Sequence, residues 1–263
     1  MTPPLIGIDI GGTGIKGGIV DLASGALLGK PLCVATPQPA TTGPVAEAVA
    51  LIADKLSASS ELAANSPIGV TFPGIIKQGV VLSAANMDKS WLNEDISALL
   101  TNRLGRAVEV LNDADAAGLA ETHYGAGAGV CGSVLMITLG TGIGSAFIVD
   151  GRLVPNSELG HLEIDGFKAE VRASAVARER HGLSWDEYSS LLQRYFSHLE
   201  HLLSPELFIV GGGISQRARD YLPKLQLRTP IVPALLLNDA GIVGAAFNVN
   251  QQHRPTKVSD HHA

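Results

Sequence analysis

Two textures of apolar residue alternate along the chain. Short runs rich in Val, Ile and Leu break off at a glycine or a polar pair, whereas longer stretches carry their apolar residues three and four apart. The first texture predicts buried strands and the second amphipathic helices. A first strand runs from Leu5 to Ile10 into Gly11-Gly12-Thr13-Gly14, and a second apolar run leaves that turn through Ile19-Val20-Asp21. Ser24-Gly25 then turns the chain into Ala26-Leu27-Leu28-Gly29, which makes a β-hairpin. A helix over 45–56 is followed by a strand over 67–71, the turn Phe72-Pro73-Gly74, a short apolar run over 79–82, a helix over 94–104, and a strand over 107–111 that ends on Asn112-Asp113. An alanine-rich helix is predicted over 113–124, with Asn112 or Asp113 able to cap its N-terminus.

The pattern then restarts. Val134-Leu135-Met136-Ile137-Thr138-Leu139 runs into Gly140-Thr141-Gly142-Ile143, which repeats Gly12-Thr13-Gly14-Ile15 in the same strand–turn–strand setting. Long helices are predicted over 169–180 and 185–203, then a strand over 207–210, a third glycine turn at Gly211-Gly212-Gly213 opening a helix, a strand at Ile231-Val232, and a last helix over 241–249. The repeat implies two related α/β lobes facing one phosphate-bearing ligand: 1–112, and 113–240, with the helix over 241–249 packing back on the first lobe. Residues 250–263 are polar and aperiodic and are expected to form a flexible tail.

With 263 residues and 46% hydrophobic content, the chain has enough apolar side chains for two cores. Its thirty glycines, many of them at strand ends, suggest anion-binding loops. A formal net charge of −6 argues against a broad nucleic-acid footprint, so a phosphate-rich partner must be held locally. Cys33 and Cys131 stand far apart with no Cys-x-x-Cys or Cys/His cluster, which predicts neither zinc nor a disulfide but buried or partly buried free thiols. No basic segment leads into an apolar core at the N-terminus and no run of eighteen apolar residues occurs, so a soluble cytoplasmic protein without a membrane partner is expected.

Gly12, Gly14 and Gly17 satisfy the spacing of the dinucleotide fingerprint, which requires a helix directly after the glycines. Gly17-Gly18 followed by Ile19-Val20 and the Ser24-Gly25 turn predicts a strand there instead, and no Walker loop is present. A phosphate-binding hairpin fits better. The amides of Gly11, Gly12, Thr13 and Gly14 would point at phosphoryl oxygens, with Thr13 or Lys16 adding a side-chain donor, and Gly140, Thr141 and Gly142 would grip the same ligand from the other side. Either loop alone would read as a tight turn; their duplication reverses that preference. Asp9 is placed to orient a water on Mg2+, with turn stabilisation as its plainer role, and Lys16 is either a phosphate partner or a solvated hairpin lysine.

Asp9-Ile10-Gly11-Gly12-Thr13, Leu111-Asn112-Asp113-Ala114-Asp115-Ala116-Ala117-Gly118, Gly140-Thr141-Gly142-Ile143-Gly144 and Gly160-His161 occur in one order. In these motifs the chain resembles the ROK sugar kinases over almost its whole length. That resemblance implies an α/β fold of the two-lobed actin-like ATPase (ribonuclease H-like) type, with the active site in the cleft between lobes. Within the family, Thr36-Pro37-Gln38-Pro39-Ala40-Thr41, Ala84-Ala85-Asn86-Met87-Asp88-Lys89-Ser90-Trp91 and Gly211-Gly212-Gly213-Ile214-Ser215 resemble the polyphosphate glucokinases. Many ROK proteins carry a cysteine-rich zinc motif after the Gly-His pair; Leu162-Glu163-Ile164-Asp165-Gly166 has no cysteine, so no zinc is expected. ROK repressors begin with a winged helix-turn-helix, whereas here the hairpin starts at Leu5, and no nucleic-acid partner is expected.

Phosphorylating a sugar hydroxyl needs a base beside it, partners for the other hydroxyls and positive charge on the transferring group. Asp113 stands at a strand end, where α/β sheets place ligand chemistry, and the resemblance makes it the general base; helix capping is its alternative role. Asn112 can offer a donor and an acceptor, or close an Asx turn. The resemblance implies Asn86, Asn112, Asp113, Glu158, His161 and Glu170 as hexose ligands, against a surface turn for Asn86 and a structural histidine for His161. It also implies polyphosphate and ATP as donors with Mg2+, glucose and mannose as acceptors, and Gly211, Gly212 and Gly213 near the donor's adenosine. A homodimer is compatible with this reading. Arg172, Arg178, Arg180, Arg217 and Arg219 could guide a long polyanion or be solvated helix faces. An ATP-only glucokinase and a non-catalytic sugar sensor are the rivals; Asp113 and both hairpins disfavour the sensor.

Overall fold

A computed structural model describes residues 3–59, 61–63, 65–84 and 86–253. In its first sheet β1 (Leu5–Ile10) and β2 (Gly14–Asp21) form an antiparallel hairpin that sets Asp9 opposite Lys16. The short strands β3 (Ala26–Leu27) and β4 (Leu32–Ala35) both pair with β2. Helix α1 (Thr42–Ser57) crosses to β5 (Ile68–Phe72), which pairs parallel with β1. A small hairpin, β6 (Ile76–Lys77) and β7 (Val80–Val81), and helix α2 (Ile96–Leu104) lead to β8 (Val108–Asn112), parallel to β5. The order across the sheet is β3-β2-β1-β5-β8.

Helix α3 (Asp113–Tyr124) carries the chain to a second sheet with the same plan. Strands β9 (Ser133–Leu139) and β10 (Ile143–Val149) form its glycine hairpin and β11 (Arg152–Val154) extends it. A two-stranded ribbon, β12 (Glu163–Ile164) and β13 (Phe167–Lys168), precedes α4 (Ala169–Ala173), α5 (Ala175–Arg180) and α6 (Trp185–Leu203). Then come β14 (Leu207–Gly211), parallel to β9, α7 (Ala218–Tyr221), β15 (Ile231–Pro233) and α8 (Ala240–Gln252), giving the order β11-β10-β9-β14-β15. The duplication seen in the glycine turns is thus a duplication of sheet topology.

Two helices lie between the sheets. Helix α8 rests on the first, where a side chain at Gly7 would overlap the carbonyl of Ile242 and one at Gly69 that of Ala245. Helix α3 packs on the second, with Gly118 against Ala146 and Ile148, and the two helices meet where Gly244 abuts the carbonyl of Ala116. Leu5 and Val20 from one sheet, Met136 and Ile148 from the other, and Ala120, Ile242 and Ala246 from the helices share one buried cluster. The high glycine content thus has a second use besides turns at strand ends, because these glycines permit close helix approach.

Four expectations are corrected. The helix predicted over 169–180 breaks at Ser174, whose backbone is extended and whose hydroxyl accepts from the Ala177 N–H to start α5. The third glycine turn opens a tight 3₁₀ segment over 213–217 before the four-residue α7, rather than a full helix. Both cysteines are exposed: Cys33 occupies an outward position on β4, which pairs only with β2 and alternates half-buried and exposed residues, and Cys131 lies in the loop before β9. Residues 250–252 belong to α8, not to a tail, because the apolar face of that helix continues to Val249 and carries its last turn; 254–263 lie outside the described residues. No helix among the described residues is long and apolar enough to cross a membrane.

Candidate active site

Each glycine hairpin closes its turn with one amide and leaves two others without a protein acceptor among the described residues. In the first, the Gly11 N–H closes the turn onto the Gly14 carbonyl at 2.9 Å. The loop's carbonyls are then drawn aside: the Thr36 hydroxyl donates to Gly11 O at 2.6 Å, the Thr36 N–H to Thr13 O at 3.1 Å, and the Gln38 amide to Gly12 O at 3.4 Å. Among the described residues the N–H groups of Gly12 and Thr13 meet no protein acceptor. In the second, Gly140 N–H closes onto Gly142 O at 3.0 Å and Val176 N–H holds Gly140 O at 3.2 Å, which leaves the amides of Thr141 and Gly142 likewise free. Such nests of unpaired N–H groups bind anions.

Asp9 sits one residue inside the end of β1. Its Oδ1 accepts the Thr71 hydroxyl at 2.6 Å, and its carboxyl lies against Gly241 in the first turn of α8. Burial raises its pKa, against the opposing pull of Thr71 and Lys16. Among the described residues no three His, Cys, Asp or Glu side chains cluster into a metal cage. Mg2+ carried in by phosphates and waters needs only one or two carboxylates, and Asp9, whose Oδ2 accepts no hydrogen bond among the described residues, fits that lesser role.

Asp113 is the first residue of α3 and opens toward solvent, its Oδ1 accepting the Ala114 N–H at 2.9 Å. Protein crowds its remaining sides. That desolvation first, and the carboxylates of Asp9 and Glu158 after it, push its pKa up to about 6. The helix cap itself is Asn112, whose Oδ1 accepts from Ala114 and Asp115 at 2.8 and 3.1 Å while its Nδ2 donates to Gly74 O at 3.1 Å. Capping thus commits the acceptor of Asn112 and leaves one N–H for a ligand. Since Asn112 fills the cap, Asp113 is released from it.

Glu158 precedes and His161 ends a 3₁₀ turn over 159–161 that is pinned to β10 by buried Ser145, which donates to the Ser157 carbonyl and accepts the Leu159 N–H at 2.9 Å. Gly160 lets this turn press on the Ile143 carbonyl. His161 Nε2 stands 3.4 Å from Glu170 Oε1, and the other oxygen of Glu170 lies beside Gly142, so these two side chains adjoin the second glycine loop. Asn86, exposed, lies against Gly12 and adjoins the first.

Gly211 ends β14, and Gly212, at φ +82°, packs on the backbone of Leu139 directly before the second glycine loop. Of the five arginines, Arg172 lies over Phe167, Arg180 and Arg219 are exposed, and Arg178 and Arg217 both face the ring of Trp185.

Sequence reasoning missed Asn156. Its side chain exchanges two hydrogen bonds with the backbone of Ile76 at 3.0 and 2.8 Å, and its N–H donates to Asp115 Oδ2 at 2.8 Å. One residue therefore ties the strand leading to Glu158 both to the β6 hairpin and to α3. Asp115 is almost wholly buried, its Oδ1 meets no partner among the described residues, and burial raises its pKa to about 7. No local sequence signal marks these contacts. A groove of about 740 Å³ between β8, β11 and the end of α8 is lined in part by Asn112, Asp115 and Asn156 but not by Asp113, Glu158 or His161.

The sequence profile of the ROK family matches residues 5–176. A polyphosphate glucokinase from Mycobacterium tuberculosis is 48% identical over 242 residues, covering 92% of this chain and 89% of its own. The crystal structure of an inorganic polyphosphate/ATP-glucomannokinase from Arthrobacter sp. strain KM superposes with a TM-score of 0.91 at 75% identity, covering 96% of this chain and all of that one (100%). A ROK family glucokinase from Streptomyces griseus, solved with glucose and AMPPNP, gives a TM-score of 0.80 at 26% identity over 94% of this chain and 99% of its own.

Proposed function

The chain belongs to the ROK family, and from that premise we propose that it transfers the terminal phosphoryl group of inorganic polyphosphate, and of ATP, to the 6-hydroxyl of glucose and of mannose. The observation that carries this reading is the meeting of a raised-pKa carboxylate, Asp113, with two loops of unpaired amides. The near relatives named for polyphosphate supply the choice of donor.

In this mechanism Asn112, Glu158, His161 and Glu170 hold the hexose hydroxyls, with Asn86 reaching in from the first phosphate loop. The amides of Gly12, Thr13, Thr141 and Gly142 take the phosphoryl oxygens and Lys16 adds charge from the hairpin. The 6-oxygen forms its bond to phosphorus as the bridging bond to the rest of the donor breaks. Its proton passes to Asp113, and the donor leaves one phosphate shorter. A loose transition state needs little push from the base, so position outweighs basicity. The N-termini of α3 and α8 both reach this site, at Asp113 and at Gly241 beside Asp9, and their dipoles favour the anionic donor. When bound, Mg2+ at Asp9 would neutralise charge on the phosphates. We assign residues 1–112 and 113–240 to the two lobes that close over the substrates in a cytoplasmic enzyme.

A coupled assay for hexose 6-phosphate, run separately with ATP and with nucleotide-free polyphosphate and repeated with mannose, tests the proposal. Product from both donors is expected. Product from ATP alone would select an ATP-only glucokinase, and none from either would remove the kinase reading.

A further inference from the structure

Two guanidinium groups converge on one indole at the seam between the second and third glycine loops. Cζ of Arg178 lies 3.7 Å from the ring centroid of Trp185 and that of Arg217 lies 5.2 Å from it. The Nε of Arg178 is shut off from solvent without a hydrogen bond, and Arg178 has no carboxylate partner among the described residues. Arg217 commits its own Nε to Asp220 at 2.6 Å, leaving its terminal nitrogens open. Like charges gathered with too few carboxylates repel one another until an anion joins them.

Both arginines hang from segments that touch the second phosphate loop. Val176, two residues before Arg178, donates its N–H to Gly140 O at 3.2 Å, and Gly212, in the turn leading to Arg217, packs on Leu139. The free amides of Thr141 and Gly142 suffice for a terminal phosphoryl group, whereas a longer polyanion continues beyond them.

We propose that Arg178 and Arg217, held by Trp185, form a subsite for the non-transferred phosphates of inorganic polyphosphate. The inference rests on the donor reading above. Guanidinium forks match phosphate oxygens in pairs, and cation–π contact fixes their planes. A nucleobase is the poorer occupant, because Trp185 already stacks on Tyr221 at 5.8 Å and 14° and lies under Arg178 at 3.7 Å.

The test is a pair of measurements on Arg178→Gln, Arg217→Gln and the double variant. In steady-state assays the ratio of kcat/KM for long-chain polyphosphate to kcat/KM for ATP should fall at least about tenfold in the double variant, mainly through KM, and the dependence of KM on salt should become shallower. Arg178→Lys, which keeps the charge without the fork, should recover part of the loss. Equal losses with both donors, or none with polyphosphate, would overturn the subsite. Calorimetric titration with inorganic polyphosphate in the absence of sugar reads it without turnover: wild-type protein should bind and the double variant should bind at least about tenfold more weakly. Equal binding, or no binding by wild type, rejects the proposal. A wild type that binds polyphosphate through these arginines without using it rejects only the phosphotransfer reading.

Discussion

Asp113 shares its surroundings with two other carboxylates, and that company sets what a titration should find. Its pKa near 6 means that a growing share of the side chain is protonated, and idle as a base, below that pH. We expect kcat/KM for glucose to rise with pH through an apparent pKa near 6, a limb that Asp113→Asn should lack. Asp113→Ala should lower kcat by about 10²–10⁴-fold, the usual worth of a general base, while calorimetry still detects glucose binding. The same shift governs stability. A carboxyl whose folded pKa exceeds its unfolded value stabilises the fold below the unfolded value, and that contribution is lost as pH rises through the folded one. Asp113→Asn should therefore raise Tm at pH 7.5, by the equivalent of ~1 kcal/mol once solvent access to the side chain is allowed for, with the gain vanishing by pH 4. A constant difference between the two melting curves across that range would contradict the assignment. The strand end that carries Asn112 and Asp113 was legible in the sequence because a polar pair ended an apolar run, while the base role of Asp113 came from the family resemblance. Thr36, Thr71 and Asn156 were not read as site builders, because their hydrogen bonds span 25, 62 and 80 residues and no local pattern encodes such partners.

At the scale of elements, the glycine hairpins were readable and the devices that aim them were not. Repetition of Gly-Thr-Gly-Ile in strand context identified both turns, but the residues that take up their carbonyls lie just after β4, at Thr36 and Gln38, and on α5, at Val176. The helix break at Ser174 escaped notice because apolar spacing continues through it, and only the serine hydroxyl turning back to Ala177 marks the restart. Asn156 shows how an element reaches across. Held at φ 59°, it links the segment before Glu158 to Ile76 and to Asp115. Asn156→Ala removes both side-chain bonds and leaves the Ile76 N–H and carbonyl without those partners, a loss of about 1–3 kcal/mol. Urea unfolding should register that loss, and the KM for glucose should rise because the turn that presents Glu158 and His161 is no longer tethered. Unchanged stability and KM would show that the contact is incidental.

Across the whole molecule, two similar sheets are joined by two helices that start at the site and run between them. The fold class could be read from the restart of the strand pattern. The packing could not: Gly7 and Gly69 lie inside strands that the pattern predicts, and nothing in it marks them as the places that admit α8. Gly69→Ala should push α8 off the first sheet and cost about 1–3 kcal/mol or more, seen as a lowered Tm. Because α8 begins beside Asp9, the variant should also lose turnover, and a normal Tm with normal activity would refute the close approach.

If this architecture moves a phosphoryl group to a sugar hydroxyl with Asp113 as the acceptor of its proton, transfer from polyphosphate must depend on that carboxylate. Phosphorus-31 NMR of glucose incubated with nucleotide-free polyphosphate, Mg2+ and either wild-type protein or Asp113→Asn observes that transfer directly. Wild type should produce the hexose 6-phosphate resonance as the polyphosphate chain shortens, and the variant should produce almost none. The account is contradicted if wild type leaves the sugar unphosphorylated, or if the variant phosphorylates it at the same rate.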